Sequence, residues 1–139
     1  MSRRRFSLAD RQAVQRRAGS CCEYCGIQNE DSNVPHEVDH IIAEQHGGET
    51  VSENLAFACF HCNHLKGPNI ASFDPTTGQI VRLFHPRRDR WEEHFRLAGA
   101  RIVALSAIGR ATVELLRLNA EERLAPRQAL LAAGRYRRP

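Results

Sequence analysis

The sequence predicts a small α+β fold, and three observations carry the prediction. Two Cys-x-x-Cys turns, Cys22/Cys25 and Cys59/Cys62, stand 33 residues apart. Between them, Glu37-Val38-Asp39-His40-Ile41 alternates polar and apolar side chains as a half-buried strand does. Beyond Pro68 the chain switches to further strand and helix patterns. Paired x2 spacing lets two thiolates from one tight turn reach the same ion, and two such turns complete the tetrahedral four-sulfur site that zinc takes. The insert is longer than in simple zinc ribbons, so it must fold in its own right. The expected architecture is an α+β core stapled by structural zinc at Cys22, Cys25, Cys59 and Cys62, with an N-terminal helix and a C-terminal strand-plus-helix cover.

The competing use of four cysteines is a pair of disulfides. The N-terminal Met1-Ser2-Arg3-Arg4-Arg5 carries no apolar leader, which points to a reducing, cytoplasmic setting where thiols stay free. Cys21 is a spare thiol, since it replaces Cys22 only by stretching the first turn to x3; it is expected as a free, packed or partly exposed cysteine.

At 139 residues, 42% hydrophobic and 26% charged, the chain is expected to be one domain spanning 1–139, with a core at about 22–67 and an extension at about 68–139. No stretch has the length of a membrane span. A net charge of +4 and a pI near 9.1 suit a polyanionic partner, nucleic acid or another. Lys66 is the only lysine and falls just after the second knuckle.

The first helix is expected from Ser7 to Gly19, with Ser7 as cap, Asp10 at the third helical position and Gly19 as stop. Its arginines, Arg11, Arg16 and Arg17, together with Arg3 to Arg5, form a basic face that either touches phosphates or is only solvated. His46-Gly47-Gly48 marks a loop, and Asn54 to Ala58 leads into the second knuckle as a turn or strand. Asn63 to Lys66 opens a helix that Gly67-Pro68 interrupts or ends. In the extension, Gln79 to Phe84 reads as a strand and Asp89 to Leu97 as a helix with Trp91 and Phe95 one turn apart. Arg101 to Leu105 reads as a strand and Gly109 to Leu118 as a helix. A last helix, Asn119 to Ala133, is opened by an Asn119/Glu122 capping pair and disturbed by Pro126.

The residues of the insert also suggest chemistry. Breaking a phosphodiester needs an activated water and a cation that stabilises charge on the crowded phosphorus and the departing oxygen. Asp39 is a candidate cation ligand, and its neighbour His40, whose type titrates near neutrality, a candidate general base. Asn63 offers a neutral amide oxygen as a second hard ligand at a helix start, a donor set suited to Mg²⁺, and Asn54 is placed to brace the loop. His36, His46, His61, His85 and His94 are scattered and expected to be structural or exposed. Within that set, His61 sits in a knuckle where it can compete for metal, and His46 sits on a loop that can approach substrate.

Val38-Asp39-His40-Ile41-Ile42, His46-Gly47-Gly48, Glu53-Asn54-Leu55 and Cys59-Phe60-His61-Cys62-Asn63-His64-Leu65-Lys66-Gly67 together resemble the HNH endonucleases. The resemblance spans about Cys22 to Gly67. The following segment, through Arg110 to Asn119, is similar, less specifically, to the C-terminal region of small stand-alone bacterial members. The resemblance implies a ββα-metal fold with His40 as general base, Asp39 and Asn63 on one divalent cation, Asn54 orienting the His40 loop and the four cysteines on zinc. Many members carry a histidine where Asn63 stands, and His64 alongside is a rival ligand if a softer ion is used.

The expected function is a Mg²⁺- or Mn²⁺-dependent endonuclease that hydrolyses DNA phosphodiester bonds with low intrinsic sequence specificity. Lys66 and nearby arginines are expected to hold the backbone, since no helix-turn-helix or second zinc module is present to read bases. A monomer or a homodimer fits this reading. The alternative is a zinc-stabilised nucleic-acid-binding module without catalysis. A thiol redox protein is the weakest reading, because it has no use for a partner knuckle.

Overall fold

The computed structural model describes residues 6–139; the arginines at positions 3 to 5 lie outside the described residues. The first helix, α1 (Leu8–Arg17), opens with a reciprocal cap: Asp10 N donates to Ser7 Oγ at 3.1 Å and Ser7 N to the Asp10 carboxylate at 2.8 Å. Its buried residue, Val14, packs with Val38, Leu55 and Phe57. The expected basic face is smaller than the sequence suggests. Arg11 donates to the His36 carbonyl at 2.6 Å, and Arg17, though exposed, donates to the Ser52 carbonyl and hydroxyl at 3.0 and 2.7 Å, so both work as clamps; Arg16 is exposed as well.

Strands β1 (Glu37–His40) and β2 (Leu55–Ala58) pair antiparallel, with Glu37 opposite Ala58 and His40 opposite Leu55. Helix α2 (Phe60–Lys66) follows directly, capped by the Cys59 sulfur, which accepts from Cys62 N, and ended by Gly67 at φ 50. Asn63 therefore lies inside this helix and not at its start. The helix begins earlier because a knuckle cysteine already serves as its cap.

The extension corrects four expectations. Strand β4 (Ile80–Arg82) is shorter than Gln79 to Phe84 and pairs with an unforeseen strand, β3 (Ala71–Phe73). The helix expected over Asp89 to Leu97 shrinks to one turn, α3 (Trp91–His94), and Phe95 begins β5 (Phe95–Ala98), which pairs with β6 (Arg101–Ala104) around a turn with Gly99 at φ 58. Long-range packing outweighs the helical spacing here. Phe95 is 1% exposed and packs edge-on against Phe84 at 5.3 Å, yet its ring still lies 5.1 Å from Trp91. Burying a side chain of this size contributes roughly 2–3 kcal/mol, more than local propensity can set against it.

Helix α4 (Ala107–Leu115) starts earlier than Gly109 because Ser106 caps it, accepting from Gly109 N at 2.9 Å. Asn119 is not a cap. Its amide accepts from Ile102 N and donates to Ile102 O, both at 2.8 Å, and so clamps β6, while α5 (Glu121–Ala132) starts without a side-chain cap and runs through Pro126.

One core joins the two parts of the chain: Cys22, Tyr24, Ile41, Ala56 and Cys62 share a buried cluster with Phe84, Trp91, Phe95, Ile102 and Leu116. Trp91 Nε1 donates to the Tyr24 carbonyl at 2.9 Å, across that junction. Among the described residues no helix is long and apolar enough to cross a membrane.

The turn before α3 is held by His85, whose Nδ1 accepts from the amides of Arg87 and Arg88, each at 3.2 Å. Burial, then the neighbouring Arg88 charge, hold this imidazole below its ordinary value. The unfolded chain therefore takes up this proton first as pH falls through about 6.5, so the His85 contribution is complete above that value and declines below it. With zinc in excess, the urea midpoint is expected to fall between about pH 7.5 and about pH 5.5. His85→Asn, which keeps an acceptor but no titration, should show a smaller pH dependence; equal slopes would refute the assignment.

Candidate zinc and catalytic centres

The sulfur atoms of Cys22, Cys25, Cys59 and Cys62 all lie within 4.8 Å of one another, and all four residues are buried. A zinc–sulfur bond of about 2.3 Å places tetrahedral sulfurs about 3.8 Å apart; Cys25 and Cys59 stand at 3.7 Å. Each knuckle folds its second amide onto its first sulfur, Cys25 N to Cys22 Sγ and Cys62 N to Cys59 Sγ, both at 3.5 Å. The donor set and spacing fit zinc.

Burial pushes the Cys22 and Cys62 thiols up, while hydrogen bonds from the surrounding thiols pull Cys25 down. Beside them Arg123 is 7% exposed and donates to Cys62 Sγ at 3.0 Å. Its burial opposes its charge, but the cysteine sulfurs overcome that and hold the guanidinium above its ordinary range. A four-thiolate zinc site carries excess negative charge, which Arg123 offsets from within the core. Cys21 is a free, buried cysteine outside the cluster, its sulfur 3.4 Å from the Gly19 carbonyl. His61, offered as a rival ligand, is exposed and not part of the cluster.

The β-β-α unit also borders an open recess of about 690 Å³ lined by Asp39, His40, Glu44, Asn63 and His64, among others. Asp39 is 4% exposed, and its carboxylate accepts from the Tyr24 hydroxyl at 2.7 Å and from Lys66 Nζ at 3.2 Å. Burial pushes the Asp39 carboxyl above its ordinary value, against the pull of Lys66 and Tyr24. The ion pair identifies the form that the fold holds as the carboxylate. Two donors leave lone pairs on an ionised carboxylate, which has about four.

Lys66 is a correction. Expected at the phosphate backbone, it is 1% exposed, and its ammonium is spent on Asp39 and on the carbonyls of His40 and Ile41 at 3.2 and 2.9 Å. An ammonium has three donors, and a buried one must use them inside the protein.

His40 Nε2 stands 2.9 Å from Thr50 Oγ1 and 3.7 Å from Glu44 Oε1. Asn54 ties the loop that follows His40: its amide accepts from Ile42 N at 2.8 Å and donates to the carbonyls of Ile42 and Glu49, both at 2.9 Å. Gly48 allows this closure, since a side chain there would run into the Ile42 carbonyl and the Asn54 amide. Asn63 is oriented by Glu37, whose carboxylate takes its Nδ2 at 3.1 Å. Only Nδ2 can donate, so Oδ1 is left as the acceptor. His64 is exposed and stacked on Phe60 at 5.5 Å, and His46 is exposed at the loop. Tyr24, Thr50 and Glu37, which orient the three candidates, carry no local sequence signal; only a pairing pattern across the insert could have marked them.

The cysteine tetrahedron and the β-β-α unit define a small zinc-knuckle domain with an open polar recess. Residues 22–69, about a third of the chain, match the family model described as HNH endonuclease. Neither the curated proteins nor the solved structures gave a match.

Proposed function

We propose that this protein is a metal-dependent endonuclease that hydrolyses DNA phosphodiester bonds with low intrinsic sequence specificity. The observation that carries the reading is that Asp39, His40 and Asn63 line one recess beside four clustered cysteines, the Asp39 carboxylate lying buried in its wall. In this reading residues 1–139 work as one domain, with the core at about 22–67.

Asp39 and Asn63 would hold a Mg²⁺ or Mn²⁺ ion. Both offer hard oxygen donors, and Mg²⁺ takes few protein ligands. Such an ion supplies positive charge to the crowded phosphorus and the departing 3′ oxygen. His40 takes the proton from the attacking water. In the tautomer that donates Nε2–H to Thr50 Oγ1, 2.9 Å away, Nδ1 would be the basic atom. Asn54 fixes the loop on which that geometry depends. Exposed arginines such as Arg16 and Arg88 provide backbone contacts, which recognise charge and shape and not sequence.

End-labelled duplexes of unrelated sequence, incubated with Mn²⁺, test this. Cleavage at many positions, leaving 3′ ends that a polymerase extends directly, is the expected result. Ends that need phosphatase treatment first would contradict the hydrolytic mechanism, and tight binding without cleavage would favour a zinc-stabilised binding module.

A further inference from the structure

We infer that Tyr24 is a positioning residue for the divalent ion, linking the zinc knuckles to the Asp39 carboxylate; this rests on the reading of Asp39 as an ion ligand. Tyr24 lies between Cys22 and Cys25 in the first knuckle and is 1% exposed. Its hydroxyl donates to Asp39 Oδ2 at 2.7 Å. Its backbone is pinned by Trp91 Nε1 at 2.9 Å and its ring lies edge-on to Phe84 at 6.4 Å, so the phenol has little freedom to swing away.

The second donor to Asp39 has a parallel origin. Lys66 ends α2 (Phe60–Lys66), the helix that the second knuckle opens through the Cys59 cap. Each knuckle therefore sends one donor to the same buried carboxylate. With Asp39 4% exposed, these two donors are the polar contacts that orient its carboxylate within the wall of the recess. Zinc that closes both knuckles thereby organises a ligand for a second metal. Partners that orient a metal ligand in this way change metal affinity by about 10- to 100-fold when removed.

Calorimetric titration of Mn²⁺ into zinc-loaded protein separates the possibilities. Tyr24→Phe keeps the ring and removes the donor. The expected result is an unchanged zinc-to-protein ratio with an Mn²⁺ dissociation constant raised about tenfold or more. Wild-type affinity in a zinc-replete Tyr24→Phe chain would overturn the inference alone. Absence of Mn²⁺ binding by the wild type would overturn the catalytic-ion reading as well. If Tyr24→Phe loses zinc, the wild-type protein still decides: the sheltered Tyr24 hydroxyl proton should shift in its NMR resonance on adding Mg²⁺, and an unmoved resonance in protein that binds Mg²⁺ refutes the link.

Discussion

Replacing His40 with alanine is expected to slow nicking of supercoiled DNA by about 10²- to 10⁴-fold, the range that a positioned general base supplies. Folding should be retained, because the His40 side chain is 17% exposed and its side-chain polar contacts among the described residues are limited to Thr50 and to Glu44, which lines the recess. DNA affinity should also be retained, since the proposed backbone contacts are to arginines elsewhere. The specific signature is the split between the two: binding measured by fluorescence anisotropy unchanged, turnover lost. Millimolar imidazole should restore part of the rate by supplying the missing base from solution. A His40→Ala protein that cuts at the wild-type rate would remove His40 from the mechanism, whatever its position.

The second large effect is on folding. Cys59→Ser, or stripping zinc with a strong chelator, should unfold the β-β-α unit and with it the shared core. Structural zinc of this type contributes on the order of 10–16 kcal/mol of apparent binding energy, whereas a domain of this size has only about 5–15 kcal/mol of net stability. Cys59 is the most exposed point of failure in this scheme because its sulfur has two roles, standing in the tetrahedron and capping α2. Without the ion, four clustered thiols and the buried Arg123 have no shared counter-charge in the core. Circular dichroism and zinc content, followed together during chelation, should fall in step. Metal loss with an unchanged melting curve would show that the cysteines are dispensable for the fold.

What was legible in the sequence follows from how local each signal is. Two turns of fixed spacing are enough to mark a zinc site, and Asp39-His40 and Asn54 mark a strand, a loop and a neighbouring strand because each acts within its own segment. Strand β1 forms where the expected alternation places it, but its burial does not alternate: Val38 and Asp39 are both buried, because Asp39 turns inward to Tyr24 and Lys66. Lys66 departs from the sequence expectation because a lone lysine near a basic chain's knuckle looks the same whether it faces DNA or a buried carboxylate 27 residues earlier. Trp91 and Phe95 have helical spacing and do lie side by side, yet the Gly99 turn and the core demand a strand at Phe95. Asn119 has the chemistry of a cap and is used instead on Ile102, a partner that no local pattern reveals. Tyr24 is the most consequential omission, since its neighbours are zinc ligands and its own hydroxyl acts at the other centre.

The central claim is that one recess holds both a divalent ion and the base. Supercoiled plasmid offered to protein that retains zinc but has been cleared of other divalent ions, with Mg²⁺ or Mn²⁺ then restored, tests it most directly. The account predicts no cutting before the ion is restored, nicked circles afterwards, and almost none with His40→Ala at the same DNA affinity. Plasmid that is bound but left intact by wild-type protein with every divalent ion tried would contradict it and leave a zinc-stapled DNA-binding module.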